Sequence, residues 1–143
     1  MYLCGVDPGR EKFGVAVASG GDCGVLHFSA VVPIENIGEA ISSISSGDFT
    51  PLSRWRREGS DGTYPISRVC LGDGTGSAVF AEHLRKLAVP YETVDEYMTT
   101  LAARKLYRAL HPSRLAKLIP ASLFFPPRPI DDLAAWAILK RQN

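Results

Sequence analysis

The residues of this chain best placed to do chemistry are acids that fall at the ends of apolar runs. Asp7 closes the first run, Asp73 follows a later one, Asp95 and Glu96 close another, and Asp131 and Asp132 open the last. Carboxylates that converge from separate segments bind hard divalent cations such as Mg²⁺ or Mn²⁺, which prefer oxygen ligands. Two such cations, about 3.5 to 4 Å apart, serve phosphodiester hydrolysis by activating a water and stabilising the departing oxygen. Each acid alone has an ordinary explanation: Asp7-Pro8-Gly9 and Gly72-Asp73-Gly74 are turn chemistry, Asp95 and Glu96 suit a solvated loop, and Asp131 suits a helix cap. Their coincidence at the ends of separate elements sets them apart.

Those elements can be read from periodicity. Residues 2–6, 13–18 and 25–32 are short apolar or β-branched runs separated by Asp7-Pro8-Gly9 and Gly20-Gly21-Asp22, which predicts an antiparallel three-strand meander. Ile34, Ile37, Ile41 and Ile44 recur at helical spacing and predict a helix over 35–45. Residues 46–64 turn polar and irregular and read as a flexible loop or flap. A strand at 69–72, a helix at 78–87 with Val79, Phe80, Leu84 and Leu87 inward, and a strand at 90–94 then form units that imply parallel strands with crossover connections. Thr100 is placed to cap a helix with Leu101, Ala102, Leu106 and Leu110 as its buried stripe. A short helical stretch at 113–118, a Pro-rich linker at 120–129 and a helix at 131–140, apolar on every face from 133 to 139, complete the order. The expectation is an α/β ribonuclease-H-like fold, a mixed five-stranded sheet flanked by helices. Parallel strands carry their ligands at the carboxyl ends, so the acids should share one rim.

At 143 residues, 45% hydrophobic and 22% charged, the chain suits one globular domain spanning 1–143. No apolar run reaches the roughly 20 residues of a membrane helix. An apolar strand begins almost at Met1, leaving no space for a leader, so a cytoplasmic protein is expected. Cys4, Cys23 and Cys70 are odd in number and scattered, as reduced core residues are, and His27, His83 and His111 show no ligand spacing. A net charge of +1 does not advertise a nucleic-acid partner, but the basic residues are grouped. Arg54, Arg56 and Arg57 flank Trp55, and Arg104, Lys105 and Arg108 share one helix, with Arg114 and Lys117 beyond. Such groups contact phosphates without reading sequence, and Trp55 could stack on an exposed base. A solvated surface explains the arginines equally well, and packing explains Trp55 better.

Three motifs carry a family resemblance: Gly5-Val6-Asp7-Pro8-Gly9 with Gly14-Val15-Ala16; Val94-Asp95-Glu96 with Thr99-Thr100; and Ile130-Asp131-Asp132-Leu133-Ala134-Ala135 with Ile138-Leu139. Together and in this order they resemble the Holliday-junction-resolvase-like branch of the ribonuclease-H superfamily. Both its RuvC-like and YqgF-like groups are matched, the second more closely, over nearly the whole chain outside residues 33–66. The resemblance implies a nuclease using two Mg²⁺ or Mn²⁺ ions, with Asp7, Glu96 and Asp131 as catalytic acids and metal ligands. Asp131 holds the family's spacing; Asp132, about 100° round the helix, is a reserve ligand. Asp73 stands where the YqgF-like group more often has Gly-Leu-Pro, close to an acid of RuvC-like enzymes, and is a further candidate ligand. Tyr97 stands where the YqgF-like pattern usually shows arginine.

The resemblance allows a branched DNA junction or a precursor ribosomal RNA as substrate, and junction cutting favours a homodimer. Two alternatives remain in view: a catalytically silent module that binds nucleic acid or protein, and a fragment of an actin-like ATPase. The second is suggested by the glycine loops after Asp7 and Asp73, but a single domain is too small for that enzyme.

Overall fold

The computed structural model describes residues 1–114 and 118–141. Strands β1 (Tyr2–Asp7), β2 (Lys12–Ser19) and β3 (Val25–Pro33) form the expected antiparallel meander, in which Asp7 lies opposite Gly14. Helix α1 (Ile37–Ser46) follows a short 3₁₀ turn, and a second 3₁₀ helix spans Thr50–Trp55. Strand β4 (Arg56–Gly59) then pairs with β3. Strands β5 (Ile66–Gly72) and β6 (Glu92–Val94) run parallel to β1 around helix α2 (Ser77–Lys86). Helices α3 (Thr99–Leu110) and α4 (Asp131–Arg141) close the chain. The sheet order is β4-β3-β2-β1-β5-β6.

Alternation along β1 and β2 divides the core between the two faces. Cys4, Val6, Phe13, Val15 and Val17 meet α1 and α2, with the buried Phe49 and Leu52 on the same side. Leu3, Ala16 and Ala18 meet α4, whose residues 132–139 are all buried between the sheet and α3. Gly5 and Gly14 also belong to the α4 face. A Cβ on Gly5 would lie 2.3 Å from the Ala135 carbonyl oxygen, and one on Gly14 only 1.8 Å from that of Asp131. The missing side chains let α4 lie on the strands at main-chain contact.

The structure corrects four expectations. The sheet has six strands rather than five, because β4 and a 3₁₀ helix lie in the segment expected to be a flap. Strand β4 is short and polar and pairs through its backbone, so it has no hydrophobic alternation to announce it. In α2 the buried stripe is Phe80, Ala81 and Leu84; Val79 is 53% exposed, and Leu87 lies beyond the helix end. In α3 only Thr99 and Ala103 are fully buried, since the helix rests on α4 rather than on the sheet, and Leu110 is exposed. The residue before α3 is Met98, with a left-handed φ of 65°, in place of the expected Thr100 cap. The short helix expected at 113–118 falls on 115–117, outside the described residues. Among those described, no helix is long and apolar enough to cross a membrane.

Candidate active site

Because β1, β5 and β6 are parallel, their carboxyl ends share one rim, to which the end of β1 brings Asp7 and the loops after β5 and β6 bring Asp73 and Glu96. Asp7 is the last residue of β1, and alternation with Leu3 and Gly5 turns its side chain toward α4, which begins with Asp131. The Asp7 and Glu96 carboxyl groups face each other within hydrogen-bonding reach. Burial, then the Glu96 charge and hydrogen bond, then the Asp131 charge push the Asp7 carboxyl up to about 8. Glu96 is also raised. Burial is the largest cause, and the Asp73 and Asp95 charges add to it, against hydrogen bonds from Asp7 and the Gly74 N–H. The two acids therefore titrate as a pair that shares a proton.

Glu96 is held from three sides. Its N–H donates to Asp73 Oδ1 at 3.1 Å, and its carbonyl accepts from the Thr99 N–H at 3.0 Å and from Thr99 Oγ1 at 2.8 Å. Its side chain fills space that only glycine leaves open: a Cβ on Gly72 or on Gly74 would lie 2.1 Å from one of its carboxylate oxygens. These glycines, read from sequence as turn formers, therefore also make room for the acid. Glu96 Oε1 is buried without a hydrogen-bond donor. An oxygen in that condition needs a shared proton or a cation.

Asp131 pairs with Lys12 Nζ at 3.6 Å. The other acids have different partners. Asp73 supports the Glu96 main chain. Asp95 accepts from the Tyr97 N–H at 2.9 Å and faces Arg141 at 3.6 Å. Asp132 is fully buried, accepting from Ser29 Oγ at 2.6 Å and from Arg128 Nη1 at 2.8 Å. Arg128 Nη2 reaches Glu58 at 2.7 Å, and Glu58 also meets His111 Nε2 at 2.8 Å. For Glu58, burial is the largest influence and raises the carboxyl, but the bonds and charges of His111 and Arg128 outweigh it and hold the group below its ordinary range. Among the described residues, no three His, Cys, Asp or Glu side chains stand in a ready-made metal-binding arrangement. The donors are of the right kind, all carboxylate oxygen, with an orphaned oxygen among them. Asp7 and Glu96 are drawn together by a shared proton, while Asp131 is paired with Lys12.

The basic residues separate into two groups. The register Val6–Val15–Ala30–Arg56 places Arg56 in the row next to Asp7, three strands away, or roughly 14 Å at sheet spacing. Arg56 pairs with Asp61 at 2.8 Å; Arg54 lies over the Trp55 ring at 4.0 Å and pairs with Glu39; Arg57 is exposed. Trp55 packs against the core, so one part of its ring is already committed. Arg104 and Arg108 instead donate to the carbonyls of Ser122 and Ile119 and lie over Phe125 and Phe124. They fasten the Pro-rich strap to α3. Lys105 borders an apolar groove between α3 and α4 that includes Met98, Leu106 and Arg141.

Sequence reasoning missed Lys12, whose only signal was its position five residues after Asp7. It also missed the Ser29–Asp132–Arg128–Glu58–His111 network. Arg128 and Glu58 are 70 residues apart and sit in segments that read as linker and loop, so no spacing could pair them.

No protein-family model matches the chain, and no curated protein sequence matches it. Solved structures do. A Thermus thermophilus RuvC structure superposes with a TM-score of 0.54 at 15% identity, covering 99% of this chain and 93% of that one. T. thermophilus RuvC in complex with Holliday junction substrate gives 0.56 at 16%, covering 99% and 92%. On this likeness over nearly its full length, the fold of the chain is the ribonuclease-H-like fold of RuvC.

Proposed function

We propose that the chain is a divalent-metal-dependent nuclease that hydrolyses phosphodiester bonds in branched DNA. The observation that carries this reading is the meeting of two half-buried acids, Asp7 and Glu96, with Glu96 Oε1 left without a donor. Bringing two carboxylates together partly away from water is costly unless a proton or a cation compensates them, and a cation would release the proton. Asp7, Glu96 and Asp131 would hold Mg²⁺ or Mn²⁺, in one or two ions, with Asp73 and Asp132 supporting the ligands from behind. Such an ion supplies Lewis acidity and lowers the pKa of a bound water.

The chain's own groups account for the rest. With a cation bound, Asp7 and Glu96 would lose their shared proton to solvent and present two negative charges at the rim. Lys12 would part from Asp131 as that acid turned to the cation, leaving its ammonium free to meet a phosphate. In the hydrolysis, water oxygen bonds to phosphorus, the bond to the 3′ oxygen breaks, and that oxygen takes up a proton. Arg56 begins β4 one row from Asp7 and three strands away, and with Arg54 and Arg57 it would contact the backbone beyond the scissile phosphate. Branched DNA is preferred as substrate because a RuvC of this fold is found with a Holliday junction. Cutting two equivalent strands of a junction would take two copies of the chain.

The test is cleavage of a labelled four-way DNA junction, duplex DNA and single-stranded RNA with Mg²⁺ or Mn²⁺, comparing wild type with Asp7→Asn. Metal-dependent junction cutting that disappears in the variant is the expected result. Cutting of RNA alone would reassign the substrate to precursor RNA. No cutting by the folded wild-type protein would leave a binding module.

A further inference from the structure

We propose that Arg128 is a positioning residue that sets Asp131 through Asp132; this rests on the reading of Asp131 as a cation ligand. The residue before helix α4, Ile130, has no polar side-chain atom with which to cap it. The first bonds of the helix run from the Leu133 and Ala134 N–H groups to the Ile130 carbonyl, and the residues before Ile130 are Pro126, Pro127, Arg128 and Pro129. What fastens that first turn is Asp132. Its carboxylate is fully buried, held by Ser29 of β3 on one side and by both terminal nitrogens of Arg128 on the other, at 2.8 and 3.3 Å.

The Arg128 guanidinium is in turn fixed on every side. It donates to the Pro129 carbonyl at 2.6 Å and to Glu58 at 2.7 Å, and it lies 5.5 Å from the centre of the Tyr107 ring. Glu58 belongs to β4 and Tyr107 to α3, so one side chain ties the sheet edge, α3 and the strap to the start of α4. Successive helix residues project about 100° apart, so the rotation that keeps Asp132 on Ser29 and Arg128 also decides where Asp131 points. In the structure that direction is toward Lys12 and the charge of Asp7.

Asp132 therefore acts as an anchor whose two oxygens are already committed. The second-sphere groups of metal sites are commonly arranged in this way, and losing one weakens metal affinity about 10- to 100-fold.

The experiment is calorimetric titration of Mn²⁺ into metal-free wild type, Arg128→Gln, Arg128→Lys, Asp132→Asn and the Arg128→Gln/Asp132→Asn double variant. Each is first confirmed as folded by circular dichroism at the titration temperature, well below its melting point. Arg128→Gln is expected to weaken Mn²⁺ binding at least tenfold, Arg128→Lys to restore part of the loss, and the double variant to be no worse than the more impaired single one, as groups of one network behave. Asp7→Asn serves as the control for the cluster itself.

Wild-type protein that takes up no Mn²⁺ would overturn the cation-site reading and this proposal with it. Wild type that binds while Arg128→Gln binds equally well would overturn the positioning role alone. A mild Arg128→Gln beside a severe Asp132→Asn would make Asp132 a ligand instead of an anchor. If Arg128→Gln fails to fold, Arg128→Lys decides: a folded lysine variant with wild-type affinity counts against the proposal, and one weakened severalfold supports it.

Discussion

The carbonyl oxygen of Asp131 occupies the place where a side chain on Gly14 would begin, 1.8 Å from the position of its Cβ. Gly14 also pairs with Asp7 across the β1–β2 ladder, so one glycine joins the two segments that carry these acids. Gly14→Ala must push the first turn of α4 off the sheet, because the obstacle is backbone and cannot rotate away. The expected cost is roughly 3 kcal/mol, at the upper end for overpacking a core. Urea denaturation measures it. A loss below about 1 kcal/mol would show that the helix start can shift freely, and that the close approach does not hold Asp131.

Without metal, the Asp7–Glu96 pair should make the protein less stable as the pH rises. The Asp7 carboxyl is raised from 3.8 to about 8, so between those values the folded chain keeps a proton that the unfolded chain has released. Stability then falls as pH increases through that window. Asp7→Asn removes the effect. In EDTA it should be more stable than wild type at pH 8, by on the order of a few kcal/mol, with the gap closing toward pH 4. Added Mg²⁺ should stabilise wild type and leave the variant unchanged. Denaturation curves at three pH values check this, and a difference independent of pH would exclude the shared proton.

Lys12 competes with a cation for Asp131. Both side chains are partly exposed, so the pair contributes less than about 1 kcal/mol. Lys12→Gln should therefore tighten Mg²⁺ binding modestly, by less than about fivefold, while slowing cleavage if the freed ammonium meets the phosphate. Weaker metal binding in the variant would instead assign Lys12 to holding Asp131 in place.

Much of this arrangement is legible in the chain itself, because its signals are local. The meander is written in alternation and turn residues, α1 in the spacing of its isoleucines, and α4 in an unbroken, alanine-rich apolar run that suits a helix buried on all sides. Asp7 and Glu96 lie at the ends of parallel strands, and Asp131 opens the helix packed on them. What the sequence conceals depends on distance along the chain or on atoms that are absent. Strand β4 is recognised only by its partner β3. Arg128 finds Glu58 across 70 residues, and the space around Glu96 is created by side chains that Gly72 and Gly74 do not have. The partial burial of α3 is hidden for another reason: helical periodicity shows which face is apolar, not whether a sheet or a single helix covers it.

The basic residues give a prediction in which the two groups part. Arg104 and Arg108 already hold the strap carbonyls, whereas Arg57 is exposed and Arg54 and Arg56 have single acidic partners near the surface. If Arg54, Arg56 and Arg57 contact phosphates, each alanine substitution should weaken junction binding and reduce the slope of log affinity against log salt by about 0.9. Alanine at Arg104 or Arg108 should act differently, freeing the strap and making it more open to limited proteolysis while leaving the salt slope near its wild-type value. Junction affinity measured by fluorescence anisotropy across a salt series, together with a protease time course, separates the groups. A reduced slope for the Arg104 variant with an intact strap would move the binding surface to α3.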